Sequence, residues 1–135
     1  SKTESTVSNA PNRIKQAYGL LLWQESLAKP VIDTEGYARE FEGAIGKEVM
    51  DALRALPSSE KETLRFYSEA LSSSTVNLPR STATLLSILR KDRLQAELQA
   101  ASTELREAEE RGDEARVDRI AEDIRTLTTV IAKMS

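Results

Sequence analysis

From Ser81 or Thr82 to Arg111 the chain contains neither Gly nor Pro. These roughly 30 residues can run as one helix about 45 Å long at ~1.5 Å per residue. The second half of this stretch carries Leu94, Leu98, Ala101, Leu105 and Ala108, stepping four, three, four, three. Gly112 can close such a helix in a left-handed conformation, and Asp113 can cap the next one. Beyond it Val117, Ile120, Ile124, Leu127, Ile131 and Met134 repeat the stepping. Each half is a two-in-seven apolar seam. Two seams of equal length about one tight turn predict an antiparallel helical hairpin. At ~1.5–3 kcal/mol per buried aliphatic side chain, five facing layers barely offset the entropy of ordering about 45 residues. The hairpin therefore needs rooting in a larger core, and a two-helix arm on a bundle is the expected architecture.

The bundle is legible upstream. Residues 1–9 are polar and without period, which predicts a disordered linker. Asn9 or Asn12 can cap a first helix, with Pro11 tolerated in its opening turn. Ile14, Ala17, Tyr18, Leu21 and Leu22 recur at helical spacing, and Leu20 and Trp23 make the helix apolar nearly all round. That pattern belongs at the centre of a bundle. Pro30 marks its expected end. Asp33 or Thr34 opens a second helix carrying Tyr37, Phe41 and Ile45, which Gly43 and Gly46 end or bend. Lys47 to Leu56 follows, with Val49, Met50, Leu53 and Leu56 on one face and Pro57 as its stop. Ser59 and Glu62 fit a capping box, opening a helix that presents Leu64, Tyr67, Ala70 and Leu71. Ser72 to Thr75 breaks the pattern before Leu78-Pro79, and Leu85, Leu86, Ile88 and Leu89 then pack the start of the long helix on the bundle. The expected fold class is all-α: a small helical bundle, a long helix and a C-terminal antiparallel helical hairpin. Its divisions are a linker over 1–9, a bundle over 10–80 with the start of the long helix to about 93, and the long helix and hairpin over 81–135.

Composition removes most chemistry. The chain has no Cys and no His, so disulfide scaffolds, Cys/His zinc sites, thiol nucleophiles and His-based triads are excluded. A net charge of −3 argues against a general nucleic-acid surface, which needs excess Lys and Arg. No apolar run approaches the ~20 residues that span a bilayer. A cytoplasmic, non-catalytic module without cofactor or metal is the expectation. The chain begins Ser1-Lys2-Thr3 with no signal-peptide pattern, which reads as a piece excised from a longer protein.

Several local features have ordinary explanations. Glu107, Glu109 and Glu110 lie near the hairpin turn between Arg106 and Arg111, as a solvated charged face would. Arg111-Gly112-Asp113 spells an adhesion tripeptide, yet a turn supplies a reason for each residue. Gly19 inside the first helix costs ~1 kcal/mol against Ala, so close approach of another helix is expected there. Tyr18 and Trp23 read as core rather than as a ligand-stacking pair. Arg13, Lys15 and Lys29 make the first-helix region locally basic, either as solvated charges or as a small patch for an acidic peptide tail.

Three segments together resemble one family. Ala17-Tyr18-Gly19-Leu20-Leu21-Leu22-Trp23-Gln24-Glu25-Ser26-Leu27-Ala28 is similar to the opening helix of the C-terminal helicase-binding domain of bacterial DnaG-type DNA primases, where an aliphatic–Gly–Leu–Leu run precedes a short polar stretch and Leu-Ala. The run from Thr84 to Leu98 resembles the long connecting helix of that domain, and the run from Ala108 to Val117 resembles its hairpin turn. Residues 33–80 carry no fingerprint of the family. The resemblance implies a non-catalytic domain of a primase whose hairpin, about 94–135, docks on the N-terminal domain of the replicative helicase DnaB. Docking would couple priming to unwinding in DNA replication. It further implies that the bundle binds the acidic C-terminal tail of single-stranded-DNA-binding protein, with Lys15 at a compatible position and Arg13 nearby. No direct contact with nucleic acid or membrane is implied.

In helix-in-groove recognition, residues left outside the seam make the contact. The non-seam or terminal residues Ala121, Thr128, Val130, Ile131 and Met134 are the candidates, while the seam residues Leu98, Leu105, Val117, Ile120, Ile124 and Leu127 mainly hold the hairpin closed. The rival reading is a non-replicative coiled-coil adaptor or chaperone-like interaction protein with the same composition and arm. The run from Tyr18 to Ala28 discriminates against it.

Overall fold

The computed structural model describes residues 12–134. The expected linker over 1–9, the alternative cap Asn9, and Pro11 lie outside these residues. Among the described residues the fold is all-α, with six helices and no strand: α1 Arg13–Glu25, α2 Thr34–Ile45, α3 Lys47–Arg54, α4 Ser58–Ser72, α5 Leu78–Arg111 and α6 Glu114–Lys133. The chain divides between Leu89 and Arg90 into two compact units, with residues of α5 in both.

In the first unit α1 is central, as its all-round apolar character predicts. Asn12 Oδ1 accepts from the Lys15 N–H at 2.8 Å and caps it. Ala17, Tyr18 and Leu21 join Tyr37, Phe41, Ala44 and Ile45 of α2, Met50 and Leu53 of α3, Leu64 of α4, and Leu86 and Leu89 of α5 in the main core. Leu20 and Trp23 turn the other way, into a second cluster with Leu78. Tyr18 therefore stacks on Phe41 (6.4 Å between centroids), and Tyr18 and Trp23 belong to separate clusters. Tyr37 stacks on Phe41 from α2, and its hydroxyl donates to the Ala17 carbonyl at 2.9 Å. Burial pushes the Tyr37 hydroxyl well above the ordinary tyrosine range.

The α1–α4 contact explains Gly19. A methyl carbon there would stand 2.5 Å from the Leu64 carbonyl oxygen and 2.5 Å from Ser68 Oγ. Ser68 is itself buried and donates to the Gln16 carbonyl at 3.1 Å. Two helix backbones thus approach over a glycine, with a buried serine satisfying its hydroxyl on the neighbouring main chain.

Several boundaries differ from the sequence expectation, each for a local reason. α1 ends at Glu25 rather than near Pro30. The Ser26 hydroxyl donates to the Trp23 carbonyl at 2.6 Å, and buried Gln24 accepts the Val31 N–H at 2.7 Å. These side-chain bonds organise a turn before the proline is reached. Asp33 caps α2 by accepting from the Gly36 N–H at 3.2 Å. Gly46, at φ 95°, ends α2 and starts α3. Val49 stays exposed beside buried Met50, so the apolar face of α3 is narrower than expected.

The capping box at Ser59 and Glu62 does not form. α4 begins at Ser58, and the Pro57 carbonyl already accepts from the Glu60 and Lys61 N–H groups. Ser59 is thereby inside the first turn, and Glu62 pairs with Arg65. Leu64 and Ser68 are the buried positions of α4, whereas Ala70 and Leu71, expected in the core, are exposed. Ala70 is off the buried face. Leu71 is in phase, but α1 begins only at Arg13, so little of it remains to cover the last turn of α4.

α5 starts at Leu78, before the expected Ser81. Asn77 Oδ1 accepts from the Arg80 N–H at 3.2 Å, and Pro79 is tolerated because a first-turn residue needs no N–H partner. Leu86 and Leu89 are buried, Leu85 is half-buried, and Ile88 is on the exposed side.

In the second unit, α5 ends in a Schellman motif. The Asp113 N–H donates to the Ala108 carbonyl at 3.0 Å, the Gly112 N–H to the Glu109 carbonyl at 3.1 Å, and Gly112 has φ 70°. Asp113 Oδ1 then accepts from the Arg116 N–H at 3.2 Å and caps α6. The Arg116 guanidinium reaches back to Glu104 at 3.3 Å. Ala108 and Ile120 are buried, while Leu94, Leu98, Leu105, Val117, Ile124 and Leu127 are half-buried.

Candidate functional site

Two helices cover only one side of each other's seam, and burial along the hairpin follows from that. Ala108 and Ile120 are buried. The other seam residues, Val117 beside the turn among them, remain half-exposed. The hairpin thus carries a partly open apolar stripe through its length.

The expected contact residues separate into two groups. Ala121, Ile131 and Met134 are half-buried, as the seam residues are, whereas Thr128 is exposed and Val130 is 40% exposed. Val130 and Ile131, adjacent on α6, thus have unequal exposure. Only Thr128 and Val130 of the five are mainly on the outside.

Two further residues in the same stretch of α6, Thr126 and Thr129, are exposed. Their hydroxyls fold back on their own helix, donating to the Glu122 carbonyl at 3.2 Å and the Arg125 carbonyl at 2.9 Å. The strip Thr126–Ala132 contains no charged residue, in a chain that is 30% charged. It is bounded by Arg125, paired with Glu122 at 2.6 Å, and by Lys133. The signal for Thr126 and Thr129 was in the sequence as this charge-free run, but seam-counting passes over it because threonine is not counted as apolar.

The turn carries a different surface. Glu107, Glu109, Glu110 and Glu114 are exposed around Gly112. Among the described residues, no group of three or more His, Cys, Asp or Glu side chains could hold a metal ion. Arg111, Gly112 and Asp113 are consumed by the helix end, the left-handed residue and the cap.

On the first unit, the basic residues near α1 are not one uniform patch. Lys15 Nζ is 3.1 Å from Glu60 Oε2, each side chain being 40% exposed. That bond ties α1 to the first turns of α4, and an acidic ligand at Lys15 would compete with Glu60. Lys29 is exposed in the turn after α1, and Arg13 is exposed at its first position. Among the described residues no helix is long and apolar enough to cross a membrane.

No family model, curated protein or solved structure matches this chain.

Proposed function

We propose that this chain is a non-catalytic, cytoplasmic protein–protein interaction module: the helicase-binding domain of a DnaG-type primase. Its hairpin docks on the N-terminal domain of the replicative helicase DnaB and couples priming to unwinding. The observation that carries the reading is the second unit itself. It pairs a half-open apolar seam with the charge-free run Thr126–Ala132, in which Thr128 and Val130 are exposed on the two flanks of the seam. A surface poor in charge, next to aliphatic side chains that two helices leave partly uncovered, suits the packing of a third helix. The resemblance over Ala17–Ala28, Thr84–Leu98 and Ala108–Val117 supports the same partner.

Calorimetric titration against a helicase N-terminal domain tests this. The full chain binds, deletion of residues 115–135 abolishes binding while the first unit stays folded, and Val130→Glu weakens it at least ~10-fold, equivalent to ~1.4 kcal/mol. Full affinity in the truncated chain would reject the assignment.

The acidic tail of single-stranded-DNA-binding protein is the second proposed partner, received at Arg13, Lys15 and Lys29. Because Glu60 occupies Lys15, Glu60→Gln should strengthen binding of a tail peptide, and Lys15→Gln should weaken it. Equal affinities in all three proteins would remove this partner and leave the helicase reading untouched.

A further inference from the structure

We draw no further inference here: the strongest candidate, the shallow groove between α2 and the first turns of α5 lined by Val31, Ile32, Tyr37, Ala83 and Leu86, carries nothing because nothing in the structure shows what covers it.

Discussion

Gly19 and Gly43 both sit inside helices, and a propensity scale treats them alike, yet their surroundings give opposite expectations. At Gly19 an added methyl meets the Leu64 backbone and Ser68 Oγ at 2.5 Å. Main chain cannot yield as a side-chain tip can, so α1 and α4 must separate. Overpacking of this kind costs about 1–3 kcal/mol, against a helix-propensity gain of ~1 kcal/mol. At Gly43 nothing lies within 4 Å of the added carbon, and only the propensity gain remains. Denaturant melts should therefore show Gly19→Ala less stable and Gly43→Ala more stable than the parent. A Gly19→Ala protein as stable as the parent would mean that α1 and α4 are not in close contact. That Gly19 has a packing reason was readable from its position among buried-type neighbours. That Ser68 is the residue opposite was not, because a serine in a helix carries no sign of burial until a partner carbonyl is placed beside it.

At the scale of elements, the turn at Gly112 shows how local chemistry and long-range register combine. Gly112 at φ 70° with the Asp113 cap completes a motif that satisfies the last carbonyls of α5 and the first N–H groups of α6. Replacing Gly112 by Ala forces a Cβ into the left-handed region, at about 1–2 kcal/mol. The relaxed alternative would be to run α5 straight into α6, so that two chains could exchange halves. The seams forbid it. Ala108 and Val117 are nine positions apart, and nine steps at 3.6 residues per turn rotate the seam by about half a turn. A continuous helix would thus present its two seams to opposite sides, and no antiparallel partner could bury both. Gly112→Ala is expected to lower the melting temperature of the hairpin while light scattering still reports a monomer. A stable exchanged dimer would show that the seam register is not what closes the hairpin. The same local reasoning failed at α4. The Ser59 and Glu62 spacing was right for a capping box, but a helix starting two residues earlier on the Pro57 carbonyl left the motif out of phase.

For the whole molecule, the start of α5 belongs to the first unit's core. Leu86 and Leu89 lie in the main cluster with Phe41 and Met50, and Leu78 closes the second cluster over Leu20 and Trp23. A chain ending at residue 93 keeps all three and should melt cooperatively. A chain ending at residue 80 loses two buried leucines, at about 2–5 kcal/mol each if they count as large core truncations, a large share of the ~5–15 kcal/mol that holds a small domain. It should be unfolded or molten by near-ultraviolet circular dichroism. Cooperative unfolding of the shorter chain would mean that the bundle is complete without α5. Period alone was enough to predict the all-α class, the central place of α1, the long uninterrupted helix and the turn at Gly112 and Asp113, because helical spacing, capping and the left-handed glycine act within a few residues of themselves. The exposure of Leu71, the burial of Ser68 and the pairing of Lys15 with Glu60 were settled by which helix lies opposite and where it stops. No run of sequence encodes that, since each of these positions takes its environment from residues distant in the chain or from an end of another helix.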